Sequence, residues 1–293
     1  MRSSSPTPRL RAPRPRRALG LLLAPVLASA AFTGVAQAQE PAPPASTGDP
    51  SQPIAAPASN PLQGRAMWIW IVKSSSGGDP AKIADRAKRH GINTVIVKAV
   101  QGSSYMPQFN SGFVRALKAR GLRVCAYGRL LGAQPASEAT QAARAVREGA
   151  ECFVIDAEAE YDGKFRQART YISTLRRAVG AEYPLGFTSF PYVSLHRRVP
   201  YRVFLGPGGA QYNLPQMYWR AIGDSPSAVF ARTYRENRGF GRPIYPLGQA
   251  YYRPPLSQIR QFKRLAVRYN APGVSWWSWQ AAGEREFGAL GGR

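Results

Sequence analysis

From residue 66 onward, short apolar runs alternate with longer segments in which apolar residues recur every three or four positions. The short runs are rich in Val, Ile and aromatic residues and almost continuously apolar, which is typical of parallel strands buried on both faces. They predict strands at residues 66–72, 93–100, 122–127, 152–158, 185–190, 214–219, 244–249 and 273–279. The segments between them predict helices at 79–89, 108–120, 137–148, 164–179, 225–237 and 256–269, with an irregular connection at 191–212.

Eight strands joined by seven crossovers predict an α/β fold, the (β/α)8 TIM barrel. A doubly wound open sheet is the alternative, but it usually carries a glycine-rich phosphate turn after its first strand. Residues 73–78 (KSSSGG) follow that strand here and lack the G-x-G-x-x-G spacing. Only residues 280–293 remain after the last strand, so we expect the last helix to be short or absent.

The first 38 residues are predicted to be a secretory signal peptide. A basic segment precedes an apolar stretch at 18–31, and Ala36-Gln37-Ala38 is an A-x-A cleavage pattern. A single membrane anchor is the alternative, but the apolar stretch is short and no stop-transfer pattern follows it. Residues 39–63 are rich in Pro, Ala and Ser and are predicted to be an extended linker, which leaves residues 64–293 as the barrel domain.

The composition of the 293 residues narrows the class of protein. Hydrophobic residues make up 44% of the chain, which excludes a wholly disordered protein. A formal net charge of +24 suits an anionic surface such as a cell wall, although genome composition also explains a high Arg content. The basic charge of an exported protein leads us to expect an anionic polysaccharide as partner. No nucleic-acid-binding motif is present, so we expect no nucleic-acid partner.

Three acids alternate at the end of the fourth predicted strand. Because side chains alternate along a strand, Asp156, Glu158 and Glu160 are expected to share the face that points to the barrel mouth. Mutual repulsion and partial burial raise the pKa of at least one of them. One protonated and one ionised carboxyl group are what glycosidic bond cleavage requires, and a solvated acidic loop is the alternative.

Aromatic and polar side chains at the other strand ends predict a substrate-binding cleft. Sugar rings stack on aromatic faces, although for any single Trp the filling of the core is an equal alternative. Lys98 follows a buried strand and therefore needs an acidic partner. The residues predicted to bind substrate are Trp70, Lys98, Gln101, Tyr127, Arg129, Tyr161, Gln216, Tyr218, Trp219, Gln249, Trp277 and Trp279.

Other chemistries lack the residues they need. His90 and His196 are the only histidines, so neither a His-based metal site nor a Ser-His-Asp triad is expected, and no cofactor is predicted. Cys125 and Cys152 fall on neighbouring predicted strands with registers about two residues apart. We therefore favour two buried thiols, with a disulfide in an oxidising compartment as the alternative.

Three motifs between residues 91 and 160 resemble glycoside hydrolase family 25 lysozymes. Residues 94–105 (TVIVKAVQGSSY) are similar to a strand ending Lys-Ala-x-x-Gly, residues 121–128 (GLRVCAYG) to the third strand, and residues 155–158 (IDAE) to the Asp-x-Glu of the fourth. The resemblance implies a muramidase-type barrel with Glu158 as general acid, Asp156 stabilising the substrate N-acetyl group or the developing charge, and Tyr127 lining the sugar site. The family's acid on strand one has no counterpart, and the longer Asp-x-x-Asp-x-Asp-x-Glu run of chitinase-type barrels is absent.

The sequence therefore predicts a secreted or wall-associated glycosidase, periplasmic where an outer membrane exists, that cleaves cell-wall or related polysaccharide. We expect a monomer without a stable membrane anchor after signal cleavage. A non-catalytic carbohydrate-binding barrel that has lost the strand-one acid is the alternative, and a basic wall-associated structural protein is a third.

Signal cleavage after Ala38 predicts that the exported protein begins at Gln39. Intact-mass measurement of the exported protein tests this. A mass that retains residues 1–38 would instead support the membrane anchor.

Overall fold

The computed structural model describes residues 60–291, and its centre is a barrel of eight parallel strands. In the order in which they pair, the strands are β1 (Gly64–Ile69), β2 (Thr94–Gln101), β4 (Arg123–Arg129), β5 (Phe153–Asp156), β6 (Leu185–Thr188), β7 (Tyr212–Asn213), β8 (Leu247–Gln249) and β9 (Gly273–Trp277). β9 pairs with β1, and parallel bridges from Asn213 to Ile244 and from Gln216 to Leu247 join β7 to the β8 segment. The short β3 (Ser104–Tyr105) lies antiparallel to β2. The predicted barrel is confirmed.

Helices cover the outside of the barrel. They are α1 (Pro80–Arg89), α2 (Ser111–Lys118), α3 (Pro135–Arg147), α4 (Phe165–Val179), α5 (Tyr201–Phe204), α6 (Trp219–Ile222), α7 (Pro226–Asn237), α8 (Leu256–Arg268) and α9 (Glu284–Gly291). α1, α2 and α7 begin with side-chain caps. Asp79 accepts from the backbone N–H of Ala81, Asn110 from that of Phe113 and Ser225 from that of Ala228. The last helix, α9, is short, as expected from the small number of residues that follow the last predicted strand.

Strand alternation divides the core into two layers. Inward side chains fill the barrel, among them Trp68, Ile96, Tyr127 and Val154. Outward side chains, together with the apolar faces of the helices, form a second and larger layer around it. Full burial of each large apolar side chain stabilises the fold by roughly 1.5–3 kcal/mol, so both layers hold the strand ends in place.

Six of the eight barrel strands, β1 and β5 to β9, are shorter than the sequence predicts, and the differences at β5 and β7 change the mouth most. β5 ends at Asp156 rather than at residue 158, because the chain turns at Glu158 into a short 3-10 segment, Ala159–Tyr161. β7 has two residues, Tyr212–Asn213, and lies before the six-residue strand predicted at 214–219, of which only Gln216 forms an isolated bridge. Pro215 has no N–H to donate to a ladder, and α6 already begins at Trp219.

The prediction of two buried thiols is wrong, because Cys125 and Cys152 form a disulfide with 4.6 Å between their Cα atoms. The pairing register explains the error. Ala126 lies opposite Phe153, so the two cysteines are side by side and both point into the barrel. The apolar pattern predicts an offset of two residues between them, and the structure shows none.

The predicted signal peptide and almost all of the predicted linker lie outside the described residues. Among residues 60–291, no helix has the length and apolar character needed to cross a bilayer.

The disulfide closes a loop between residues 27 positions apart, so its removal is expected to lower stability by about 2–4 kcal/mol. The variant with both Cys125→Ala and Cys152→Ala should show this loss in urea unfolding. Wild-type protein unfolded without reductant should show no reactive thiol. Two titratable thiols, or equal stability of the two proteins, would contradict the disulfide.

Candidate functional site

The guanidinium of Arg129 gathers three carboxylates at the barrel mouth. Arg129 is the last residue of β4 and lies opposite Asp156, the last residue of β5. Its Nη1 is 3.5 Å from Asp156 Oδ1 and in direct contact with Glu158, and its Nη2 is 2.8 Å from both carboxylate oxygens of Glu160. The structure therefore brings the three predicted acids together, although Glu160 arrives on a turn and not on a strand.

Two further polar side chains reach the same group from other strands. Gln216 Nε2 donates to Glu158 Oε1 at 2.8 Å and to Asp156 Oδ1 at 3.3 Å. Lys98 interacts electrostatically with Asp156, and its Nζ donates to Gln101 Oε1 at 2.5 Å. Lys98 thus lies within the electrostatic influence of Asp156, while its hydrogen bond goes to Gln101.

Asp156 is the deepest of the three acids. Burial raises the pKa of this carboxyl well above its ordinary value, and the adjacent Glu158 raises it further, while Arg129 and Lys98 lower it. Burial in turn lowers the pKa of Lys98, although the attraction of Asp156 opposes that shift. Two cations face three carboxylates, so a proton on Asp156 balances the charge of the mouth.

Aromatic rings form the floor beneath these acids. The ring of Trp68 lies 4.8 Å from that of Tyr127 and 5.8 Å from that of Trp277. The Tyr127 hydroxyl is buried with no hydrogen-bond partner among the described residues. Burial raises the pKa of Tyr127, and Asp156 adds to the shift, so this phenol stays protonated.

Aromatic rings also line two sides of the mouth. Tyr218 meets Tyr251 edge-on at 5.4 Å, and Tyr252 continues the group with 53% of its surface exposed. On another side, Trp70 is 46% exposed and Lys98 Nζ lies 5.8 Å from the centre of its ring. Rings partly open to solvent above carboxylates have the character of a carbohydrate cleft.

Four of the predicted substrate-binding residues lie elsewhere. Tyr161, Trp219 and Trp279 are buried in the layer between barrel and helices. Tyr161 donates to Glu138, Trp219 donates to Gln258, and Trp279 packs on Phe287. Each follows a turn after its strand, which ends the alternation on which the prediction depended.

Gln249 is the fourth, and its amide holds two loops together. It is fully buried, its Oε1 accepts from the backbone N–H of Arg220 at 2.7 Å, and its Nε2 donates to the Tyr251 carbonyl at 3.1 Å. The amide is thus committed to the backbone of these loops and faces no ligand.

Two residues that shape the mouth are not predicted by the sequence. Gln108 Nε2 donates to the carbonyls of Trp70 and Lys98, and its Oε1 accepts from Val72, so it fastens the first loop to β2. Glu138 is buried and accepts from the backbone of Gly132 in the loop after β4. For Glu138 the sequence does contain a signal, because it is a charged residue on the apolar inner face of α3. For Gln108 the sequence contains no such signal.

Within residues 60–291 no group of three or more His, Cys, Asp or Glu side chains is arranged to hold a metal ion. Both histidines instead pack on phenylalanine rings: His90 lies tilted against Phe287 at 5.4 Å, and His196 stacks on Phe190 at 3.6 Å.

No family model matches the chain. No curated protein matches it either. Solved structures do. The catalytic domain of a hyperthermophilic chitinase from Pyrococcus furiosus is 15% identical, with a TM-score of 0.56 over 83% of this chain and 96% of that one. The spore cortex-lytic enzyme of Bacillus cereus is 10% identical, with a TM-score of 0.57 over 78% and 73%.

An endo-β-1,4-mannanase from Thermotoga petrophila is also similar, at 10% identity and a TM-score of 0.55 over 75% of this chain and 68% of that one. At these identities the likeness establishes the TIM-barrel fold. The chitinase and the mannanase are glycosidase barrels but not family 25 lysozymes, so the lysozyme resemblance rests on the sequence motifs alone.

The raised pKa of Asp156 predicts a pH-dependent loss of stability. Above a pH of about 4 the unfolded chain has lost a proton that folded Asp156 keeps, so the free energy of unfolding falls as the pH rises toward the folded pKa. Asp156→Asn is neutral in both states and should remove this fall in urea unfolding followed across pH. Asp85→Asn, on the exposed face of α1, should keep it. Parallel pH profiles for wild type and Asp156→Asn would contradict the assignment.

Proposed function

We propose that the protein is a glycoside hydrolase that cleaves a polysaccharide at the mouth of the barrel. The observation that carries this proposal is that the buried Asp156 lies beside the more exposed Glu158, with Arg129 contacting both carboxyl groups. Burial and the adjacent Glu158 raise the pKa of Asp156. Such a pair offers one carboxyl group that holds a proton and one that faces the substrate, which glycosidic cleavage requires. The glycosidases among the similar structures support the same class of reaction.

In this proposal Glu158 donates the proton. The side chain of Glu158 is 17% exposed and that of Asp156 11%, so a glycosidic oxygen meets Glu158 first. The proton shared with Asp156 passes through Glu158 to the leaving oxygen as the bond from that oxygen to the anomeric carbon breaks. Water then supplies the hydroxyl group to the sugar and returns a proton to the pair. Lys98 and Arg129 stabilise the carboxylate that Asp156 becomes in between.

Glu160 has a separate role in the proposal. Its carboxylate takes both of its hydrogen bonds from Arg129 Nη2, and its side chain is 35% exposed. By engaging one edge of the guanidinium it directs the other nitrogen toward Asp156 and Glu158. Glu160 therefore positions Arg129, while it remains the reserve proton donor.

The substrate that we propose is a cell-wall glycan of the muramidase type. The family 25 motifs support it, and one of the similar structures is a spore cortex-lytic enzyme. Export through the predicted signal peptide would bring the protein to such a polymer. Action as a monomer in the wall or outside the cell belongs to the same proposal.

A non-catalytic sugar-binding barrel is the second candidate. Arg129 is in direct contact with Glu158, and this ion pair occupies the side chain that the hydrolase would need as proton donor. The first strand also leads into Trp70, Ile71 and Val72, without an acid. In such a barrel the aromatic floor and sides would bind sugar without cleaving it.

Glu158→Gln separates the two candidates. In the hydrolase the variant should release reducing ends from purified peptidoglycan at least about 100-fold more slowly than wild type, because the amide cannot donate the proton. Chitin serves as the second substrate. Asp85→Asn, which removes a carboxylate far from the mouth, should keep the wild-type rate.

Sedimentation of both proteins with the same polymers completes the comparison. Binding by wild type and variant without any release of reducing ends would establish the sugar-binding barrel. If the wild type neither releases reducing ends nor binds the polymers, both candidates are excluded.

A further inference from the structure

One part of the barrel is basic without any acid. Between Glu236 and Glu284 the chain contains no Asp or Glu. This stretch spans β8, α8 and β9 and carries Arg238, Arg242, Arg253, Arg260, Lys263, Arg264 and Arg268. The site proposed above uses none of these cations.

α8 presents its arginines to solvent. Its inner face buries Ile259, Phe262 and Ala266 against the barrel. Arg260, Arg264 and Arg268 are exposed and stand four residues apart, so each lies about 6 Å further along the helix axis. Like charges at this spacing destabilise an isolated helix.

The neighbouring acids do not relieve that repulsion. Glu236 on α7 binds Arg232 and Ser194, and Glu284 on α9 pairs with Arg86. In the part of the chain that the structure describes, none of Arg260, Arg264 and Arg268 forms an ion pair. The three guanidinium groups therefore keep their donors for a ligand.

The arginines form a line that begins at the mouth. β8 ends at Gln249, and the loop at 250–255 carries the exposed Tyr252 and Arg253 beside the aromatic side of the cleft. α8 starts at Leu256 and runs down the outside of the barrel, away from the mouth. Arg253, Arg260, Arg264 and Arg268 thus follow one another from the rim downward, and we name them the α8 track.

We propose that the α8 track binds a polysaccharide that carries carboxylate groups, as an extended surface outside the cleft. The planar fork of Arg matches a carboxylate with two parallel hydrogen bonds, and several forks in a line match a polymer with repeated carboxylates. The choice of a glycan over another polyanion rests on the proposed function, because the track begins beside the ring-lined cleft. A chain seated in the cleft would continue onto the track.

α4 supplies a matched control on another face. It also exposes three arginines, Arg166, Arg169 and Arg177. Acids flank this helix, however, with Glu160 and Asp162 before it and Glu182 after it. A polyanion approaching α4 from the mouth meets negative charge first, so α4 is not expected to bind.

The test measures binding of the full-length exported chain to immobilised polygalacturonate at low salt, in a Glu158→Gln background so that no polymer is cleaved. The combined change Arg260→Gln, Arg264→Gln and Arg268→Gln should weaken binding on the order of 10- to 100-fold. The same change at Arg166, Arg169 and Arg177 removes equal charge and should alter binding by less than about threefold. Arg→Lys at the three α8 positions should restore binding only in part.

Wild-type affinity in the α8 variant would overturn the proposal, and so would two other results. Equal losses in the α8 and α4 variants would show that net charge alone attracts the polymer. Binding of inorganic polyphosphate with the same affinity and the same dependence on α8 would show a general polyanion surface instead of a glycan site. Thermal unfolding of each variant checks that the fold is intact.

The readout is independent of the proposed reaction. If the wild type releases no reducing ends, the hydrolase proposal fails while the binding comparison still stands. If the α8 variant binds polygalacturonate as wild type does while wild-type turnover is normal, only the α8 proposal fails.

Discussion

The mouth of this barrel is organised by one guanidinium group. Arg129 ends β4, and its two terminal nitrogens contact three carboxylates, one at the end of β5 and two in the segment that follows it. Three acids within five residues would repel one another and loosen that segment without a cation among them. With Arg129 and Lys98 nearby, two negative charges are balanced and a third is not, and burial raises the pKa of Asp156 well above its ordinary value. The acid–base character of the site follows from this imbalance of charge.

The same strand shows how the barrel builds the site in levels. Along β4, Cys125, Tyr127 and Arg129 point inward in succession. Cys125 forms the disulfide with Cys152, Tyr127 is part of the aromatic floor, and Arg129 contacts the acids at the mouth. The neighbouring strand supplies Cys152, just before β5, and then Val154 and Asp156. These three lie opposite Cys125, Tyr127 and Arg129 in turn, because Arg129 is in register with Asp156 and Ala126 with Phe153. A shift of one residue between these strands would separate all three contacts at once.

Much of this architecture was predictable from the sequence because it depends on short-range patterns. Continuous apolar runs indicate eight strands, and the alternation of Asp156 and Glu158 indicates the acidic pair. Properties that depend on long-range register were not predictable in this way. The side-by-side position of Cys125 and Cys152 requires knowing which residues of β4 and β5 pair, and no local pattern states it. Trp219 and Trp279 were misplaced for a related reason, because each lies past the point where its strand turns. Arg129 was expected at the mouth, but its contact with three acids became visible only with the loop geometry.

The disulfide that joins β4 to the start of β5 lies beneath the acids and fixes the position of these two strands relative to each other. The strand that supplies the guanidinium and the strand that supplies the carboxyl groups cannot slide past each other or part when a ligand arrives or leaves. A ligand that enters the mouth therefore encounters an electric field whose sources are already in position, and little reorganisation of the protein accompanies its entry. In the proposed hydrolase, the location of one proton and the conformation of the sugar would be what changes during the reaction. The disulfide then makes the mouth a rigid site to which the sugar chain itself would have to adapt.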